Sequence, residues 1–322
     1  MSTKKTSKEK LNLHKRNKNR EKYDLKAMCD SNPELIKYIQ PNKLGIDSIN
    51  FADPSAVKIL NKAILHYYYG IKYWEFPKEN LCPAIPGRAE YIHHVADLLS
   101  ENNNGEIPLG ESITCLDIGI GACCVYPIIG VTEYKWNFIG SDISSKSIES
   151  SQNIVNSNPT LKGKVKCTLQ NHTKNIFRGI IKKEDKIDIT ICNPPFHSSI
   201  EEAIKGTARK VKNLTGIKTN SPKLNFSGNN NELVYEGGEL KFISNMILES
   251  KEFAKDCLWF STLVSKESNL KKIYKILKQN NPTEIRTINF ETGNKSSRIV
   301  TWTYLTSQEK KMWQEKQKNK SN

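Results

Sequence analysis

The chain has 322 residues, 37% of them hydrophobic, a formal net charge of +15 and a pI near 9.3. That is enough apolar material for one large domain or two smaller ones. No run of about 18 apolar residues occurs, which excludes a membrane-spanning helix, and the polar, basic N-terminus has no apolar core behind it, which excludes a secretory signal.

The charge is concentrated at the ends. Residues 1–26 hold ten Lys/Arg against three Asp/Glu, a net of +7, and residues 308–322 carry +3, leaving +5 for the body. Basic ends suit a polyanion such as RNA or DNA; the alternative is a solvated tail. Residues 1–26 are rich in Lys, Asn and Ser and poor in apolar residues, which predicts a disordered arm that orders on phosphate. The eight cysteines are scattered without paired metal-ligand spacing, so they read as reduced core residues in a cytoplasmic protein, with no structural zinc.

A helical module is expected over residues 27–108. Pro33 to Gln40 makes a short turn or helix. Asp53-Pro54 places an N-cap and a first-turn proline ahead of Ala56, Val57, Leu60, Ala63, Ile64 and Tyr67 at helical spacing, with Gly70 as the stop. The aromatic stretch His66 to Trp74 reads as core or as a base-stacking surface. After the connector Leu81 to Gly87, Arg88 opens a helix through Leu99. A cation in a first turn opposes the helix dipole, so Arg88 has another partner, either a surface acid or a ligand carboxylate. His93-His94 are adjacent, not at the i,i+4 spacing of a helical metal site, and read as packing or surface residues. Glu101 to Gly110 is a polar boundary loop.

Residues 109–308 alternate strand and helix, which predicts a mainly parallel, doubly wound sheet. The strand Ile113–Ile118 contains Asp117 and runs into Gly119-Ile120-Gly121-Ala122-Cys123. Glycines there let a backbone approach a nucleoside, and a helix N-terminus follows. A dinucleotide site favours a third glycine where Cys124 stands, so NAD is disfavoured. A second strand from Trp136 ends at Asp142, twenty-five residues after Asp117, where a carboxylate can accept both ribose hydroxyls or cap the helix Ser144–Asn156. A third strand, Val165–Leu169, leads to a loop, Gln170 to Phe177, that borders the adenine of such a nucleoside.

The fourth strand, Ile187–Cys192, runs into Asn193-Pro194-Pro195-Phe196. Two prolines cannot continue a ladder, and ligands of open α/β sheets bind beyond the carboxyl ends of strands. The tetrapeptide resembles the signature of S-adenosylmethionine-dependent amino-methyltransferases, which implies a target such as an exocyclic adenine amine, a poor nucleophile because its lone pair is delocalised. The Asn193 side-chain carbonyl and the Pro194 backbone carbonyl can each accept one of its N–H groups and favour a more tetrahedral nitrogen. Phe196 offers a stacking face worth roughly 1–3 kcal/mol. The alternative is a plain turn after a buried strand. Residues 197–237 form a long polar insertion next to this tetrapeptide, read as a substrate loop in which Lys205, Arg209, Lys210 and Lys212 touch phosphate or solvent. A helix from Gly237 to Lys255, a fifth strand Leu258–Val264, a helix Lys266–Gln279 and a closing antiparallel pair, Ile285–Phe290 and Ile299–Leu305, complete the domain. Residues 309–322 are a basic tail.

Together with Ile85-Pro86-Gly87-Arg88-Ala89-Glu90-Tyr91-Ile92-His93-His94, Asp117-Ile118-Gly119-Ile120-Gly121-Ala122 and Glu236-Gly237-Gly238-Glu239-Leu240, Asn193-Pro194-Pro195-Phe196 resembles the 23S rRNA adenine-1618 N6-methyltransferase family, relatives of the U6 snRNA and mRNA adenine methyltransferases. The resemblance spans roughly residues 25–305. It implies an α/β, Rossmann-like seven-stranded methyltransferase fold, S-adenosyl-L-methionine as methyl donor and 23S rRNA or a large-subunit assembly intermediate as partner, with a monomer as the working expectation. It assigns catalysis to Asn193, Pro194, Pro195 and Phe196, and cofactor contacts to Arg88, Asp117, Gly119, Gly121, Cys123, Asp142, Asn175 and Asn193. Two other readings remain: a protein glutamine-N5 methyltransferase, and a non-catalytic RNA-binding assembly factor on the same scaffold.

Overall fold

A computed structural model describes residues 13–42, 44–205, 230–292 and 295–321. The core of the fold is a seven-stranded sheet: β3 (Thr114–Ile118), β4 (Asn137–Asp142), β5 (Val165–Leu169), β6 (Ile187–Cys192), β7 (Cys257–Val264), β8 (Glu284–Thr292) and β9 (Lys295–Thr303), in the order β5-β4-β3-β6-β7-β9-β8. The first five are parallel; β9 is antiparallel to both β7 and β8. The strand order therefore reverses between β3 and β6, and a crevice opens beyond their carboxyl ends. Each residue of β6 and β7 is buried, as strands covered on both faces must be.

Helices cover the sheet on both sides. One face packs against α2 (Pro54–Tyr69), α3 (Ile85–Glu101), α4 (Val125–Tyr134) and α5 (Ser145–Ser157), the other against α7 (Gly238–Ser250) and α8 (Glu267–Asn280). Successive strand residues alternate between the two cores: Cys115 and Trp259 join the first, Leu116 and Phe260 the second. The first core runs unbroken from Met28, Leu35, Ile64 and Trp74 through Val95 to Ile128, Phe138 and Ile189. The N-terminal helices therefore share the core of the sheet, and no apolar boundary separates residues 27–108 from 109–308. Asp53 caps α2 by accepting Ser55 N–H, and Gly70 ends it in the left-handed region at φ +69°. Ahead of α2 stand α1 (Leu25–Ser31), a 3-10 turn (Pro33–Tyr38) and a small hairpin of β1 (Ile39–Pro41) and β2 (Asp47–Ile49) that the sequence pattern did not announce. Of the aromatic stretch, Tyr69 and Trp74 are core, whereas Tyr67 and Tyr73 stay exposed.

The expectation of a disordered arm fails from Leu13 onward. Leu13, Asn17 and Asn19 are buried, and the segment lies on α3 through polar contacts. His14 N–H and Asn17 Nδ2 donate to the Glu90 carboxylate at 2.8 and 2.6 Å. Arg16 donates to Tyr134 Oη, the His93 carbonyl and Asp97 at 2.7–2.9 Å. Directed bonds hold it there beside the burial of Leu13, and composition does not reveal such bonds; residues 1–12 lie outside the described residues. His93 is buried against Tyr134 Oη at 2.6 Å, and burial, reinforced by His14 and Arg16, lowers its pKa to about 3. The basic C-terminal segment is a helix, α9 (Ser307–Ser321). Its Trp313 Nε1 and Gln317 Nε2 donate to the buried Asp188 at 2.8 and 2.9 Å, at the amino edge of the sheet, away from the crevice. Among the described residues no helix is long and apolar enough to cross a membrane.

Candidate active site

A cavity of about 480 Å³ fills the crevice, in the range of small-molecule sites. Its floor is the turn after β3. Gly119 and Gly121 have φ of +77° and +64°, values that L side chains seldom adopt. Gly119 and Ile120 N–H both donate to the Ser141 carbonyl at 2.8 and 2.9 Å. From α5, Ser151 and Ser150 donate to the Gly121 and Ala122 carbonyls at 2.6 and 2.9 Å. The turn is thus held from two sides before any ligand arrives.

Asp142 stands at the end of β4 on the cavity wall. Its two oxygens accept Gly121 N–H at 3.0 Å and Ser144 N–H at 2.8 Å. Ser144, not Asp142, caps α5. Burial raises the Asp142 pKa, and the two backbone donors oppose that rise. Asp117 sits one residue behind the wall. It is buried, and neither carboxyl oxygen meets a donor among the described residues. Burial pushes its pKa up to about 8, with Arg88 pulling the other way. Asp117 therefore backs the cavity without lining it.

Arg88, in the first turn of α3, reaches the cavity and donates to Tyr126 Oη at 2.9 Å, with its guanidinium over the Tyr126 ring. The Cys123 thiol donates to the Leu81 carbonyl at 3.1 Å and ties the glycine turn to the connector; burial keeps it a thiol. Gln170, Thr173, Asn175 and Ile176 wall the other end. That loop is clamped from below by Glu249, which accepts Ile176, Phe177 and Arg178 N–H at 2.7–3.1 Å.

Asn193, Pro194 and Pro195 line the cavity at the end of β6, while Phe196 lies just beyond its wall. Asn193 Oδ1 is buried with no donor among the described residues. A buried carbonyl oxygen without a donor carries a desolvation cost of about 1–3 kcal/mol. Tyr91, from α3, steadies this strand end: its hydroxyl accepts Cys192 N–H at 3.3 Å and pairs with Ser261 at 2.9 Å.

Three contributions escaped the sequence reading. Tyr91 and Glu249 act through neighbours, so only the fold exposes them. Glu232, in the short α6 (Asn230–Leu233), enters the cavity wall, and its two oxygens accept Asn80 Nδ2 at 3.0 Å and Leu81 N–H at 3.1 Å. The motif around Gly237 and Gly238 is structural: both have positive φ, and buried Glu239 accepts Ser265, Lys266 and Asn269 donors at the end of β7. Lys205 is described and exposed; Arg209, Lys210 and Lys212 lie outside the described residues.

Comparison with known proteins fits this geometry. A family model described as RNA methyltransferase matches residues 7–306. The chain is 51% identical over 301 residues to ribosomal RNA large subunit methyltransferase F of Cytophaga hutchinsonii, covering 94% of each. It is 48% identical over 327 residues to the protein of that name from Photobacterium profundum, covering 97% of each. Among solved structures, the catalytic domain of human Mettl16 in complex with a MAT2A 3′UTR hairpin superposes with a TM-score of 0.78 at 26% identity, over 91% of this chain and 96% of that one. The N-terminal domain of human METTL16 in complex with SAH superposes at 0.72 and 25% identity, over 91% and 99%. A matching family model over nearly the whole length, close relatives of the same size and a shared fold lead to one conclusion: the chain belongs to this RNA methyltransferase family.

Proposed function

We propose that this enzyme transfers the methyl group of S-adenosyl-L-methionine to N6 of one adenine of large-subunit ribosomal RNA, adenine 1618 of 23S rRNA, in the cytoplasm. The observation that carries the chemistry is the buried Asn193 Oδ1 with no donor among the described residues, set at the switch point of the sheet beside a nucleoside-sized cavity. It is the acceptor that an exocyclic amine requires.

The cavity fits the cofactor. The glycine turn leaves room for a backbone-to-ligand approach, and Asp142 and Arg88 line the same cavity, which supports ribose hydroxyls on the first and an amino-acid carboxylate on the second. Gln170 and Asn175 border the adenine end. When bound, S-adenosylmethionine supplies an electrophilic methyl group on a sulfonium centre. Asn193 Oδ1 and the Pro194 carbonyl accept the two N6 hydrogens of the target adenine, which favours a more tetrahedral nitrogen whose lone pair is less delocalised into the ring. The prolines hold both acceptors rigid, so little reorganisation is needed. Phe196, just outside the wall, takes the face of the base. The surplus proton leaves N6 for water after transfer. The target base has to be unstacked to reach this depth.

The test is methyl transfer from labelled cofactor to total RNA from a strain lacking the gene. Label in N6-methyladenosine of large-subunit rRNA alone is the expected result. Label that survives ribonuclease but is lost to protease overturns it in favour of a glutamine side chain.

A further inference from the structure

An α-amino acid tail presents two charges, a carboxylate and an ammonium. Arg88 answers the first; the second needs acceptors at the same end of the cavity, the strongest being a carboxylate. Asp117 lies behind the wall. Asp142 stands at the end of β4, where ribose hydroxyls belong. Glu232 remains. It lines the cavity with Leu81, Pro83, Arg88 and Cys123, and its Oε1 is 3.8 Å from the position of a Cβ built on Gly121. Asn80 Nδ2 and Leu81 N–H hold its carboxylate in place. Each carboxylate oxygen has two lone pairs, so a held carboxylate still accepts an ammonium N–H.

We propose that Glu232 is the receptor for the cofactor's α-ammonium group and, with Arg88, makes the cavity select an intact amino-acid zwitterion. This rests on the S-adenosylmethionine reading above. The residue reaches the site from the far end of the 197–237 insertion. The base of that insertion is stapled to the catalytic tetrapeptide: His197 N–H donates to the Leu233 carbonyl and Tyr235 N–H to the His197 carbonyl, both at 3.0 Å. The same short segment thus touches the cofactor tail and the residue after Phe196, so a correctly seated tail also fixes the entrance used by the base.

The test is isothermal titration of the full-length protein and of Glu232→Gln with S-adenosylhomocysteine and with its desamino analogue, which keeps the carboxylate but lacks the α-amino group. The wild type prefers S-adenosylhomocysteine by about tenfold or more, the size of one charge-assisted hydrogen bond. In Glu232→Gln that ligand weakens about tenfold, the analogue hardly changes, and the preference collapses. Equal weakening of both ligands overturns the proposal and makes Glu232 only a fastener of the insertion; unchanged affinity for both overturns it as well. A wild type that binds neither ligand brings down the cofactor reading itself. Thermal melting of the variant confirms that a folded protein is being titrated.

Discussion

Asn193 and Asp117 are both buried polar groups without donors among the described residues, yet they do opposite work. The amide carries no charge, so leaving its buried oxygen without a donor costs less than burying an unpaired carboxylate, and that oxygen is available to an incoming amine. Asn193→Ala is expected to lower kcat by at least about a hundredfold, the scale of removing a preorganised transition-state contact, while S-adenosylhomocysteine binding and the thermal midpoint stay close to wild type. Retained turnover in that variant means that the amine is activated elsewhere. Asp117 bears on stability. Its folded pKa of about 8 lies far above the ordinary carboxylate value, because burial disfavours the anion. Between roughly pH 4 and pH 8 the folded state keeps a proton that the unfolded chain releases, so stability falls as pH rises, by at most about 1.4 kcal/mol per unit. Asp117→Asn removes that slope. Urea denaturation at pH 5 and pH 8 is expected to show the variant gaining on the wild type at the higher pH; parallel changes with pH show that Asp117 is ionised in the folded protein.

Among the elements, α3 and the loop after β5 show how positioning is built. Successive residues of α3 face different partners: Arg88 the cavity, Glu90 the N-terminal segment, Tyr91 the end of β6, His93 the Tyr134 hydroxyl. The Gln170–Phe177 loop has no such helix to stiffen it. Glu249 does so from α7, gathering three consecutive N–H groups on one carboxylate. Glu249→Ala strands those donors. It is expected to cost about 3 kcal/mol or more in urea unfolding and to raise the KM for S-adenosylmethionine more than it lowers kcat, whereas Glu249→Gln, which keeps one acceptor oxygen, costs less. An alanine variant with wild-type stability and KM removes Glu249 from this role.

At the scale of the molecule, the basic ends differ in kind. α9 packs at the amino edge of the sheet, opposite the cavity, through Trp313 and Gln317 on Asp188. The N-terminal segment from Leu13 is part of the fold, which divides the first 26 residues into two parts with different expected effects. Removing residues 1–26 takes away the contacts to Glu90, Asp97 and Tyr134 and is expected to lower the thermal midpoint by several degrees, about 2–4 °C for each kcal/mol lost in a chain of this size. Removing only residues 1–12, with four lysines and one glutamate, leaves in place the contacts to Glu90, Asp97 and Tyr134, which begin at His14. It lowers RNA affinity and flattens its salt dependence, because fewer phosphate counterions are released. An unchanged salt slope assigns those lysines to solvent.

The parallel sheet, the glycine turn, the acid at Asp142 and the break after β6 at Asn193-Pro194-Pro195 were legible in the chain. Each is a local pattern: a β-branched run ending in prolines, glycines where φ must be positive, an acid at a strand end. The same holds for Asp53 and Gly70 at the ends of α2. The anchoring of Leu13–Asn19 on α3 was not legible, because polar residues predict solvent until a partner such as Glu90, 73 residues from Asn17 in sequence, is brought beside them. Nor was the entry of Glu232 into the wall of a cavity that Asn193, 39 residues earlier, also lines, or the sharing of one apolar core by the N-terminal helices and the sheet. Sequence periodicity determines which face of an element is apolar; which distant element meets that face, and which acid meets which donor, is decided only when the chain packs.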